Sequence, residues 1–316
     1  MLTGGGLHSK IYLMHKLLKQ AFTLIEILAV VAIVSILSGL IIVSMKGIKD
    51  SATLAKSKSF ADSLINALIV STIGEWEFDD IALAVDSVLP DGTVIPDPWG
   101  DNNCTSQGGP ILKGGSNCVT GKCLSFTGSN NVDCGNNSNY DLANTNHTLS
   151  FWFKSSDPDY EWLWGRFTGG IPGEGYVFYL HYGKVGFEER TTTNGFGFES
   201  DGIVNDNKWH FLTITVSVAP YKYWASYLDG NVSGPDGFDG NIINHNGSLY
   251  INGPDTGYYS VSYLDDIRIY SAVIPISQIK EQYYAGLNQL FANGSIKREE
   301  YLARINGATD LIAEAI

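Results

Sequence analysis

The chain has 316 residues and a formal net charge of −13 at pH 7, with 33 acidic side chains against 20 basic ones. That balance excludes a phosphate-binding surface built on Lys and Arg, and with it a nucleic-acid partner. A content of 44% hydrophobic and 12% aromatic residues excludes a disordered chain.

The charge divides unevenly: residues 1–21 carry +3, residues 22–73 carry +1 and the remainder −17. All seven Trp and all four Cys also follow residue 73, so two different materials join near Ile73-Gly74. From Phe22 to Met45 run 24 residues with one charge, Glu26. As a helix such a run is about 36 Å long, enough for a hydrocarbon core of about 30 Å, and it predicts a membrane span over 22–45. A secretory signal peptide would have a shorter apolar stretch with a small-residue cleavage site on its far side. A plain signal anchor would leave Glu26, a carboxylate inside an apolar run, without a partner.

Lys19-Gln20-Ala21-Phe22-Thr23-Leu24-Ile25-Glu26 resembles the processing motif of type IV pilins and type II secretion pseudopilins, the class III signal peptide. The resemblance implies that 1–21 is a leader, cut by a prepilin peptidase between Ala21 and Phe22, and that Phe22 is then N-methylated. It further implies that Glu26 is the assembly carboxylate, facing the amino terminus of a neighbouring pilin subunit, and that subunits are fed from an inner-membrane assembly platform. Ala21 stands where the family usually has Gly, so a small residue is kept. Lysines flank the apolar run on both sides, and the orientation therefore rests on the motif rather than on charge. Apolar residues recur at three- and four-residue spacing from Ile48 to Ile73, which extends the predicted helix into a stalk over 22–73.

Beyond Gly74 the period changes from 3.6 to 2. Short aromatic and β-branched runs alternate with Gly, Asn and Asp: residues 76–78, 123–126, 149–153, 176–181, 209–218, 224–228, 248–251 and 263–270. This spacing predicts an all-β sandwich or jelly roll, with hairpin turns at Gly183-Lys184 and Asp229-Gly230. The blocks GEWEFDD (74–80), CLSFTGSNNVDCG (123–135), TLSFWFKSS (148–156), NKWHFLTITV (207–216), YLDGNVSG (227–234) and YLDDIRIYSAVIPISQIKEQY (263–283) resemble the laminin G-like, concanavalin A-like jelly roll. The resemblance spans 74–285 and implies that Trp152, Trp209 and Ile267 fill the space between two sheets. Pro275 and Ser277 open a helix that Asn293-Gly294 stops, a second helical stretch follows, and 286–316 is a C-terminal helical segment. These helices are expected beside the upper stalk, Leu64 to Ile73. The predicted class is α+β: a long N-terminal transmembrane and stalk helix, an all-β jelly roll, and short C-terminal helices.

Glycosidases need two carboxylates at a fixed separation. Glu75, Glu77 and Asp79 alternate along one strand face, but the Glu, Asp, Glu order of the related glucanases is not matched. The adjacent pairs Glu188-Glu189 and Asp265-Asp266 are expected to point to opposite faces. No enzyme is therefore expected. Hard oxygen donors at Asp97, Asp101, Asn103, Asp265 and Asp266 suit Ca²⁺, while no cofactor is required. Trp162, Trp164, Tyr221, Tyr223 and Tyr258 either stack on sugars or are buried in the sandwich. Cys104, Cys118, Cys123 and Cys134 lack the paired short spacings of a zinc site and suit disulfides. Of three possible pairings, Cys118 with Cys123 and Cys104 with Cys134 is the one expected. The resulting expectation is a filament subunit, membrane-held before assembly and displayed at the cell surface afterwards, whose lectin-like head binds a glycan or a surface. A secretion pseudopilin and a membrane-anchored carbohydrate-active enzyme are the alternatives.

Overall fold

Alternating side chains sort each strand of the head onto two faces, and the faces with large apolar residues must meet. In the computed structural model, residues 71–100, 102–168, 174–253 and 258–314 are described. The leader, the predicted membrane span and most of the stalk, with Ala21, Phe22 and Glu26, lie outside them. Among the described residues no helix is long and apolar enough to cross a membrane.

The strands run in chain order as β1 (Thr72–Trp76), β2 (Val94–Ile95), β3 (Cys104–Gln107), β4 (Ile111–Gly114), β5 (Lys122–Ser125) and β6 (Asn131–Asp133). Then come β7 (His147–Ser155), β8 (Glu161–Thr168), β9 (Glu174–His181), β10 (Lys184–Arg190) and β11 (Gly195–Glu199). The last are β12 (His210–Ser217), β13 (Tyr223–Leu228), β14 (Asn231–Gly237), β15 (Leu249–Ile251) and β16 (Ser262–Tyr270). Two helices close the chain, α1 (Ile276–Ala292) and α2 (Arg298–Glu314).

The strands form two eight-stranded antiparallel sheets. One has the order β14-β13-β12-β7-β16-β5-β4, with β1 also on β16; the other has the order β11-β10-β9-β8-β15-β6-β3-β2. On its free edge β16 carries β5 at Tyr263 and Leu264 and β1 from Ile267 to Tyr270. Between the sheets, Leu149, Phe151 and Phe153 of β7 and Leu212, Ile214 and Val216 of β12 face Trp164, Phe178 and Phe187. Phe151 lies edge-on to both Trp164 and Phe178, at 5.6 and 4.8 Å between centroids, a favoured aromatic geometry. Ile267 is in this core, as expected.

Trp152 and Trp209 are buried but elsewhere. Being out of phase with Phe151 and Phe153, Trp152 points away from the partner sheet, and with Phe211, Trp209, Ile279, Tyr283 and Leu287 it builds a second core beneath α1. Tyr283 stacks on Trp152 at 5.7 Å. The predicted start and stop of α1 hold: Pro275 precedes it and Gly294, at φ 82°, follows its C-terminus. Its buried face packs on the sheet, and Ile73 packs on the inter-sheet core; the stalk residues 64–70, beside which the helices are expected, lie outside the described residues.

The cysteines pair as Cys104–Cys134 and Cys118–Cys123. The smaller loop anchors the turn between the helices: Asn293 Nδ2 donates to the Cys118 carbonyl at 2.9 Å and Ser295 Oγ to the Ser116 carbonyl at 2.6 Å. The β9–β10 turn is Tyr182-Gly183, one residue earlier than predicted. Both residues take positive φ, 49° and 84°, which the twist of a two-residue hairpin demands.

Candidate functional site

The oxygen donors proposed for calcium are engaged within the fold. Asp97 Oδ1 accepts the amides of Glu75 and Trp99, its Oδ2 accepts Asn102 Nδ2, and Asn103 Oδ1 accepts the Asp97 amide. Asp101 lies outside the described residues. Asp265 is fully buried and accepts three amides, from Val119 (2.9 Å), Thr120 (3.2 Å) and Asp266 (2.9 Å). Burial and the neighbouring Asp266 carboxylate push it well above the usual carboxylate range despite these donors.

Asp265 and Asp266 do not point to opposite faces. Thr120 donates to both, because Asp266 adopts φ 49° where the register of β16 with β7 shifts. Among the described residues no group of three His, Cys, Asp or Glu side chains is arranged to hold a metal ion.

Glu75 and Glu77 do share a face, and Arg268 binds both. Glu75 is lowered: burial raises it, but Arg268 outweighs that. Burial and the Glu75 charge push Glu77 up to about 7. Asp79 departs to accept the Lys122 amide, after Phe78 takes φ 64°.

The outer face of the second sheet is different. The outward residues of β8 and β9 and three adjoining connections form a chain of rings. Tyr182 lies 4.7 Å from His181, His181 lies 5.5 Å from Tyr160, and Tyr160 lies 5.5 Å from Tyr179 and 5.8 Å from Tyr258. Tyr258 in turn stacks on Trp162 at 5.9 Å and 14°, and Trp162 meets Phe167 edge-on at 5.2 Å. Trp162 is 6% exposed and serves as the floor beneath Tyr258, which is 46% exposed; Tyr182 is 73% exposed. Both exposed tyrosines have left-handed backbone, φ 49° and 68°. A bulky side chain adopts that region at a cost and mostly where the surroundings impose it, often at ligand sites.

Beside the rings the sheet has a glycine floor. Register places Gly186 of β10 between Tyr179 of β9 and Glu199 of β11, and Gly197 opposite Glu188. A Cβ on Gly186 would sit 2.3 Å from the Tyr179 ring and one on Gly197 2.3 Å from the Phe187 carbonyl, so neither position admits a side chain. The result is an open trough of about 350 Å³, walled by Tyr179, Glu188 and Glu199. Glu199 binds His181 Nδ1 (2.7 Å) and Lys184 Nζ (3.3 Å), and His181 together with Lys184 lowers its pKa. Glu161, opposite the inward-facing Leu180 at the start of β8, is pushed up to about 7 by burial and by Asp157 and Asp159.

Of the five aromatic residues singled out in the sequence, this face uses Trp162 and Tyr258. Trp164 lies in the inter-sheet core, and Tyr221 is exposed. Tyr160, Tyr179, His181 and Tyr182 were missed, although their alternation through 176–182 is a strand signal. Glu188 and Glu189 point to opposite faces, as expected: Glu189 is wholly buried between His147 and His245, with its Oε2 3.2 Å from His147 Nε2 and its Oε1 3.5 Å from His245 Nε2. Neither ring nitrogen of His245 has a hydrogen bond, and burial pushes that imidazole down to about 4.

A family model described as the concanavalin A-like lectin/glucanases superfamily (laminin G type) matches residues 126–280. No curated protein matches the chain in sequence. Among solved structures, the binding domain of Paraclostridial Mosquitocidal Protein 1 is similar at a TM-score of 0.55 and 15% identity, over 70% of this chain and 53% of that one. The botulinum neurotoxin serotype D ligand binding domain, solved in complex with N-acetylneuraminic acid, is similar at 0.53 and 15%, over 71% and 53%. A structure of botulinum neurotoxin type C, whose cell entry is described as dependent upon interaction with two ganglioside molecules, is similar at 0.52 and 13%, over 70% and 53%. The chain thus spans about half the length of each of these structures. The likeness is one of fold, and the head is a laminin G-like, concanavalin A-like jelly roll.

Proposed function

We propose that this chain is a type IV pilin-like filament subunit whose head binds glycans through the outer face of β8–β11. The observation that carries the binding role is the continuous chain of rings on one outward face, which ends in two exposed tyrosines, Tyr182 and Tyr258. A pyranose presents an apolar C–H face and a rim of hydroxyls, and rings beside carboxylates answer both needs. The solved domains that share the fold include one in complex with N-acetylneuraminic acid, which supports the same reading. The filament role rests on the motif around Phe22 and on the need of Glu26 for a partner inside an apolar run. Two disulfides in the head favour an oxidising compartment outside the cytoplasm.

Replacing Tyr258 by Ala is expected to weaken binding of the detergent-solubilised full chain on a glycan array at least tenfold, about 1.4 kcal/mol. Tyr221→Ala, on an exposed tyrosine with no place in this face, is expected to change nothing. Equal effects of the two substitutions would sink the assignment of the face. For the filament role, Glu26→Ala is expected to leave processed protein in the membrane without filaments. Normal surface filaments in that strain, seen by electron microscopy of sheared material, would refute it.

A further inference from the structure

We propose that the glycine-floored trough is the subsite for one uncharged pyranose unit, and that Glu188 sets this preference by binding sugar hydroxyls and repelling sugar carboxylates. The proposal rests on the glycan-binding reading above and adds the ligand's charge class. Gly195 and Gly197 leave the floor open to backbone, and the Tyr179 ring, lying over Gly186, stands at its inner wall, continuous with the ring chain through Tyr160. A sugar lying on the aromatic face thus extends its neighbouring unit over the glycines.

The two carboxylates of the trough are not equivalent. Glu199 is tied to His181 and Lys184, which also takes up the positive charge of the Lys184 ammonium. Glu188 has no hydrogen-bond donor or cation on it among the described residues, and it lies directly across from Gly197. An ionised carboxylate accepts several hydrogen bonds and donates none. Sugar hydroxyls are the donors it lacks, and bonds to a charged acceptor are the stronger kind. The carboxylate of a sialic or uronic acid in the same place supplies no donor and brings a like charge within a few ångströms of Glu188. Arg190 follows Glu188 on the same outward face, opposite Gly195 at the end of the trough, and is not among the side chains that line it.

The test uses the detergent-solubilised full chain and four probes: cellotetraose and N-acetyllactosamine as uncharged sugars, 3′-sialyllactose and tetragalacturonate as anionic ones. At least one uncharged probe is expected to bind at least tenfold more tightly than either anionic probe, with the gap narrowing at high salt because repulsion is screened. Glu188→Gln keeps the shape and removes the charge. It is expected to weaken the uncharged probe severalfold, to strengthen the anionic ones, and so to collapse the gap. Tighter binding of an anionic probe that Tyr258→Ala still abolishes would overturn the charge assignment and leave the binding face standing. The same holds if Arg190→Ala, rather than Glu188→Gln, removes discrimination. No binding of any probe, on this array or a broader one, would sink the glycan reading and the proposal together.

Discussion

Gly286→Leu is expected to destabilise the head by about 3 kcal/mol, a fall of about 10 °C in its melting temperature. α1 approaches the sheet so closely at this point that a Cβ would lie 2.3 Å from Cζ2 and 2.6 Å from Cε2 of Trp152. Trp152 cannot retreat, since Phe211 and Tyr283 pack against it at 5.1 and 5.7 Å. The helix must therefore lift, exposing the second core. Gly286→Ala gives the sharper test, because helix propensity alone would make it stabilising by about 1 kcal/mol, whereas the contact with Trp152 predicts a net loss. Gly307, in α2, has nothing within 4 Å of its missing Cβ, and Gly307→Ala is expected to stabilise or leave the midpoint unchanged. Trp fluorescence reads both, as every Trp lies in the head. A rise in midpoint for Gly286→Ala would refute the packing argument.

Acid is expected to unfold the head through His245. Its imidazole titrates near 4 when folded and near 6.5 when free, so the unfolded state binds more protons between these values. The contribution is complete above about pH 6.5 and is lost as pH falls through 4, for about 3 kcal/mol in all. His210 works in the opposite sense. Burial lowers it, but Asp229 and Asp206, 2.7 and 3.1 Å away, outweigh that and raise it to about 9. That contribution is present below about 6.5 and is lost as pH rises through 9. Glu77 and Glu161, raised to about 7, act in the same sense as His210, so the His245 contribution is read as the difference between the wild type and a variant across the acid range. His245→Phe retains a ring against Tyr176, which lies 4.9 Å from the imidazole, and removes the titration. The variant is expected to flatten the acid limb and leave the alkaline limb alone. An acid limb of unchanged slope in the variant would refute the assignment to His245.

How much of this was legible in the sequence follows from what each segment had to satisfy. β7, β12 and β16 alternate apolar and polar residues or carry unbroken β-branched and aromatic runs, so their existence was readable, as were α1, its start and its stop. Trp152 was readable as buried but not as to where, since period 2 assigns a face without saying what covers it. β10 and β11 were missed for a physical reason that also makes the site. In β10 the inward positions end in Glu189, a carboxylate buried between histidines from a distant strand and loop, and in β11 two of the three outward positions, Gly195 and Gly197, are glycines. A strand with so few outward side chains loses the alternation that would announce it. The acids of the calcium reading show another limit: Asp97 and Asp265 are short side chains that fold back onto local or sequence-distant amides, and composition does not distinguish such a carboxylate from a free one.

The place of β1 has a mechanical consequence. The first strand of the head lies antiparallel on the last, with Thr72 opposite Tyr270 and Trp76 opposite Ile267, while Ser71 accepts the Ser271 amide at 2.7 Å. Tension arriving through Ser71 along the strand axis therefore strains the rungs of that ladder in shear, all at once, instead of opening them one after another. The ring chain and trough lie on the other sheet, across the inter-sheet core, so in the proposed role, with the chain held before Ser71 and a ligand on that face, the load would pass through the packed aromatic interior and leave the hydrogen bonds of β8–β11 outside the line of pull.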